Sequence, residues 1–204
     1  MIADFKLSAI LAVFLVVCVL GIYLWPNNNQ DDVQNWVLPK ALREASGLAM
    51  FSATTVLLHN DEKGVIYSFD IKSGSVSKQW TLGKEPVKDD FEGIEVVGDD
   101  IYMVTSGGLL YKAAGALQPA QPSLDFEIMD TQLGKQCEIE GLVMDQGMLL
   151  MPCKTSYVEE YERNLTVFAW SPGTRETAVR FSIPLQSPAD RDPIRASAIE
   201  TDRT

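Results

Sequence analysis

Two stretches of the chain repeat one pattern: FEGIEVVGDDIYMV, residues 91–104, and IEGLVMDQGMLLMP, residues 139–152. Each passes from a Glu-Gly-aliphatic triplet through a short strand pattern and a polar turn to a second apolar strand. Apolar runs of this length, cut by turns rich in Gly and Asp, read as antiparallel hairpins.

Working outward, the same grammar covers most of the chain in groups of four runs. The first group is SGLAMFS, TTVLLHN, VIYSFDI and SVSKQWTL, residues 46–82. The second is FEGIEVV, DIYMVTS, GLLYKAA and SLDFEIM; the third is IEGLVMD, MLLMPCK, LTVFAWS and AVRFSIP. The small residue of the triplet recurs at Gly47, Gly93, Gly141 and Ala198. Four strands returning every ~40–50 residues mark a β-propeller blade. A residue without a bulky side chain lets the first strands of neighbouring blades approach one another near the axis. The expected fold is therefore all-β, a propeller of four-stranded antiparallel blades. The alternative is a β-sandwich whose spacing is coincidental.

Residues 41–204 suffice for about three blades. The closing ASAIETDRT matches the first strand of a fourth, so the expected ring is incomplete, as in the front portion of a longer protein.

The amino end is of another kind. Residues 7–25, LSAILAVFLVVCVLGIYLW, carry no charge. As a helix rising ~1.5 Å per residue they would span roughly 28 Å, the thickness of a bilayer core. Tyr23 and Trp25 fall at an interface, Lys6 precedes the run, and Asp31 and Asp32 follow it. The end of the run is bulky where a signal peptidase requires small residues, and Val17 precedes Cys18 where lipid attachment would need a small one. The expected organisation is a cytoplasmic tip (1–6), an uncleaved transmembrane anchor (7–25), a polar linker (26–40) and a periplasmic β domain (41–204). The chain would then sit in a bacterial inner membrane.

Of 204 residues 46% are hydrophobic and 22% charged, enough for a packed core. The net charge of −11 repels phosphodiester backbones and acidic lipid surfaces, which argues against nucleic acid and leaves cations as partners.

The triplets, together with ASGLA, DDFEGIEVVGDDIYMV and CEIEGLVMD, resemble the SdiA-regulated family of bacterial envelope propellers, akin to phytase-like propellers. The resemblance covers roughly residues 43–204. It implies a six-bladed fold and an envelope location, and it supplies no secure reaction. The chain departs from the family at the end of the second strand of a blade, where an acidic residue is common. Here those places read Thr105-Ser106 and Pro152-Cys153-Lys154.

If successive blades are related by rotation, Glu92 and Glu140 converge on one rim of the channel, with Asp89, Asp90 and Glu138 beside them. Carboxylates gathered in this way suit Ca²⁺; equally, each Glu would accept backbone hydrogen bonds at a blade junction. Cys137 and Cys153 flank one hairpin and would either form a disulfide or remain buried thiols. The lone His59 in HNDEKG reads as part of a polar hairpin connector rather than a zinc ligand or a catalytic base. Trp80, Trp170, Tyr67, Tyr102, Tyr111 and Phe168 read as packing between sheets.

Two functions compete. One is a membrane-tethered module binding an unidentified periplasmic ligand or protein. The other is a Ca²⁺-assisted phosphoester hydrolase, for which the cations Lys88, Lys135 and Arg195 are few and scattered.

Overall fold

The computed structural model describes residues 35–117 and 122–185. Contacts divide the chain into Met1–Trp36 and Val37–Thr204. The second unit carries all the regular structure discussed below. The candidate anchor 7–25 and the fourth-blade strand at Ala198 lie outside the described residues. Among the described residues no helix is long and apolar enough to cross a membrane.

Among the described residues the unit is all-β, with short 3₁₀ turns as its only helical pieces. In the first sheet β1 (Ala45–Ser52), β2 (Thr55–Asn60), β3 (Val65–Asp70) and β4 (Ser75–Leu82) form an antiparallel meander. The second sheet contains β5 (Phe91–Val97), β6 (Asp100–Thr105) and β7 (Leu109–Ala113). Its expected fourth strand divides in two. β8 (Ser123–Leu124) pairs parallel with β4 of the first sheet, and β9 (Glu127–Asp130) pairs antiparallel with β7. The residues between them include Phe126, which packs against Tyr111 with ring centroids 5.6 Å apart. One segment thus ties two sheets together.

The third sheet begins with a broken strand, β10 (Cys137–Ile139) and β11 (Val143–Asp145), both paired with β12 (Met148–Ser156). β13 (Asn164–Trp170) and β14 (Thr177–Pro184) complete it. The break has a physical cause. Gly141 takes φ 144°, outside the range of a strand residue. Opposite it stands Pro152, which has no N–H to offer the ladder. Only its carbonyl remains, and it accepts from the Glu140 N–H at 3.1 Å.

Both faces of the middle sheet are buried, which explains why its strands read as continuous apolar runs rather than alternating ones. Ile101, Met103 and Tyr111 pack toward the first sheet, beside Leu57, Ile66 and Trp80. Their neighbours Tyr102, Val104 and Leu110 pack toward the third, beside Met151, Phe168 and Trp170. Among the described residues three successive sheets stand where a sandwich would have two, and none closes on itself.

Along the inner strands the triplet glycines lie in a row. An ideal Cβ on Gly47 would sit 3.3 Å from the Gly93 Cα, and one on Gly93 would sit 2.7 Å from the Gly141 carbonyl carbon. This close approach, which brings β1 beside β5 and β5 beside β11, fits a propeller-like fold. Glu95 of β5 is buried and accepts from the Met144 N–H at 2.9 Å, so a carboxylate joins the second sheet to the third.

Candidate functional site

At the end of the inner strands where the glycines meet, each sheet repeats a small arrangement. An acid stands three residues before the glycine (Glu44, Asp90, Glu138). A polar residue precedes the glycine (Ser46, Glu92, Glu140). Asp61 and Ser106 follow the second strand directly, and Lys154 holds the matching place at the bulge within β12, between Cys153 and Thr155. In the first sheet the Asp61 N–H donates to the Glu44 carbonyl at 3.1 Å, and in the second the Ser106 N–H donates to the Asp90 carbonyl at 2.9 Å.

The glycine row brings the middle members of this pattern together across sheets. The Ser46 hydroxyl donates to Glu92 Oε2 at 2.9 Å. Glu92 in turn lies within the fields of Glu140, Asp90 and Lys154. Burial pushes its carboxyl up to about 7; Glu140 and Asp90 add to the shift, while Ser46 and Lys154 oppose it. Glu92 therefore takes up a proton far more readily near neutral pH than an ordinary glutamate does.

Lys154 binds the remaining acids. Its ammonium contacts Glu140, whose side chain is only 9% exposed, and approaches Glu138 at 3.5 Å. These partners raise its pKa above the usual lysine range, the Glu140 hydrogen bond foremost. The side-chain hydroxyl of Ser106 plays the corresponding role toward Asp90 at 2.5 Å.

The five expected rim acids thus have separate fates. Glu138 and Glu140 meet Lys154, Glu92 meets Ser46 within the fields of Glu140, Asp90 and Lys154, and Asp90 meets Ser106. Asp89 turns away and accepts from the Tyr111 hydroxyl at 2.8 Å, with the phenol pushed well above its ordinary pKa by burial and by that bond. Among the described residues no group of three or more His, Cys, Asp or Glu is arranged to hold a metal ion. With an ammonium against Glu140 and Glu138, these carboxylates do not fit a divalent ion.

His59 is not part of a connector. It lies within β2, one residue from its end, fully buried, its Nδ1 3.0 Å from the Asn60 carbonyl and its ring edge-on to Phe91 at 6.4 Å. It fills the space left by the missing side chain of Gly47, and burial lowers its pKa to about 4. Cys137 and Cys153 are disulfide-bonded with Cα atoms 5.7 Å apart. Cys153 pairs with Ile139 rather than with Cys137, so the bridge runs diagonally across a bulge. Two participants escaped the sequence reading: Lys154, noted only as a departure, and the stitch from Glu95. A cation in a run of acidic rim positions was the available signal for the first; the second left none.

No protein family and no curated protein matches the sequence. Solved structures give distant likenesses. Glutaminyl cyclase of Myxococcus xanthus is 15% identical over 69% of this chain and 53% of its own, with a TM-score of 0.48. The chain thus spans about half the length of that protein. The computationally designed Ika4 protein is 12% identical over 83% of this chain and 86% of its own, at 0.42. The extracellular domain of a hybrid two-component system from B. thetaiotaomicron is 12% identical over 78% of this chain and 18% of its own, at 0.45.

Proposed function

We propose that the chain is a propeller-type binding module of the bacterial envelope, of the SdiA-regulated kind, tethered to the inner membrane by residues 7–25. Its blades are four-stranded, about three with the start of a fourth. Its rim receives a cationic group, such as a lysine or arginine side chain of a periplasmic partner. The observation that carries this reading is the pair Glu138 and Glu140 of the third sheet against one ammonium, with Glu92 of the second sheet within the fields of Glu140, Asp90 and Lys154. Acids outnumber the internal cation there, so the rim keeps a negative field in a partly desolvated setting, where charges act more strongly than in water. The disulfide supports an oxidising compartment.

The rival phosphoester hydrolase has less behind it. The single imidazole bonds a backbone carbonyl rather than a serine or a thiol, and Lys154 occupies the carboxylates on which a metal would rely.

The full-length chain in detergent tests both readings. Calorimetry with a trilysine peptide at low salt should give binding that strengthens as pH rises through 7. Glu92→Gln should abolish that pH dependence, and Glu138→Gln should weaken binding by about fivefold. Release of phosphate from an aryl phosphate that requires Ca²⁺ and is lost in Glu92→Gln would overturn the binding reading in favour of the hydrolase.

A further inference from the structure

We propose that the cleft between the outer strands of the second and third sheets binds a small aromatic carboxylate. The ring takes the counterpart of the seat that Phe126 fills at the first junction, and the carboxylate meets Arg175. None of the described residues lining this cleft belongs to the acidic rim, and the inference does not depend on the partner proposed there.

The repeat shows why the space exists. At the junction of the first and second sheets, Phe126 packs against Tyr111 of β7, with ring centroids 5.6 Å apart. On its other side is the turn after β4, where a Cβ on Gly83 would stand 3.5 Å from the Phe126 ring. Register carries the same places into the junction of the second and third sheets. Tyr111 pairs with Met103 of β6 and Ile128 of β9, while Phe168 pairs with Met151 of β12 and Val179 of β14. Phe126 stands two residues before Ile128, and Thr177 stands two residues before Val179. A threonine thus holds the repeat position of a phenylalanine. Its hydroxyl donates to the Thr131 carbonyl at 2.7 Å, and its short side chain leaves the rest of the seat open. What remains is a cleft of about 410 Å³ walled by Leu133, Phe168 and Val179, a size that suits a small ligand. Tyr161 lines one side, edge-on to Phe168 with centroids 5.5 Å apart. Phe168 stands where Tyr111 receives Phe126, so an aromatic ring is the group this seat fits.

The polar end selects a carboxylate. Arg175 is the one charged residue among the described residues lining the cleft, in a chain of net charge −11. Its guanidinium is 62% exposed and reaches Glu127 at 3.4 Å, an exposed pair that holds it loosely. A guanidinium offers a carboxylate two parallel N–H donors. Arg175 shares a backbone rarity with Gln132, which also lines the cleft. Both are left-handed, with φ 59° and 64°, and they are two of the three non-glycine residues of that kind among those described. Such conformations are costly for a residue with a side chain and cluster at ligand clamps.

The test is a saturation-transfer NMR titration of the full-length chain in detergent with phenylacetate, phenylacetamide and acetate. The wild type is expected to bind phenylacetate with a Kd on the order of 1 mM, and the other two at least about fivefold more weakly. Arg175→Gln should weaken phenylacetate by about fivefold or more and leave phenylacetamide unchanged. Thr177→Phe, which installs the residue of the first junction, should abolish binding by closing the seat. Should it fail to fold, Val179→Trp closes the same cleft from β14. Uptake by micelles is common to every variant and cannot produce these differences. A wild type that does not bind phenylacetate overturns the proposal. So does phenylacetamide binding as tightly as phenylacetate, and so does a seat-closing or Arg175→Gln variant that binds phenylacetate as tightly as the wild type.

Discussion

The side-chain carboxylate of Glu95 accepts the backbone N–H of Met144 at 2.9 Å, joining β5 to the strand that begins the second half of the broken pair. Its other oxygen accepts the Val96 N–H at 2.6 Å. Both amides are partly buried, and the carboxylate that holds them is 2% exposed. Replacing Glu95 by Leu should leave them without this acceptor and cost about 2–3 kcal/mol, whereas Glu95→Gln, which keeps one acceptor oxygen, should cost about 1 kcal/mol. Urea unfolding of the three proteins compares the losses directly.

The pH dependence should contain two opposing contributions. Glu92 has its carboxyl raised from 4.5 to about 7 in the fold. A raised carboxyl favours the folded state while protonated, so its contribution is present below about pH 4.5 and is lost as pH rises through 7. His59 is lowered from 6.5 to about 4. Its contribution is present above about pH 6.5 and is lost as pH falls through 4, by roughly 3 kcal/mol for this buried ring. Between about pH 4.5 and 6.5 the two slopes offset one another. Glu92→Gln should therefore expose a steeper gain of stability with rising pH in that window, and His59→Gln the reverse slope. Melting temperatures from pH 4 to 8 for both variants would reveal the crossing, and parallel curves would count against this assignment.

A methyl group on the glycine row should be poorly tolerated. A Cβ on Gly93 would stand 2.6 Å from the Leu142 nitrogen and 2.7 Å from the Gly141 carbonyl carbon, both backbone atoms that cannot step aside. Gly93→Ala is expected to cost about 3 kcal/mol or more, or to prevent folding. Gly107→Ala is the control. Its nearest neighbour would be Thr105 Oγ1 at 3.9 Å, and a change within about 0.5 kcal/mol is expected there. Circular dichroism melts of the pair decide the point.

The bridge between Cys137 and Cys153 closes a loop with a sequence separation of 16. Thiol titration of the denatured chain should find Cys18 alone before reduction and all three cysteines after it. Reduction should lower stability by about 3 kcal/mol.

How much of this was legible beforehand depends on the range of the cause. The meander of the first sheet follows from local pattern: apolar runs with Gly, Asp and Ser at the turns predict β1 to β4 with little help from elsewhere. The triplet period also fixed which glycines would meet, because identical repeats stack in identical ways. Other features needed the third dimension. The split of the segment around Phe126 depends on two different sheets offering it an edge, and the broken strand at Gly141 depends on a proline across the ladder. His59 looked like turn chemistry until the space above Gly47 was known.

The rim shows the division most clearly. Sequence alone determined that Glu92 and Glu140 hold equivalent places in successive repeats, since spacing along the chain carries that information. Only the tertiary structure decided that Lys154 would answer them, because a charge chooses its partner by distance through space. Its neighbours in the chain, Cys153 and Thr155, give no sign of which acids lie within reach.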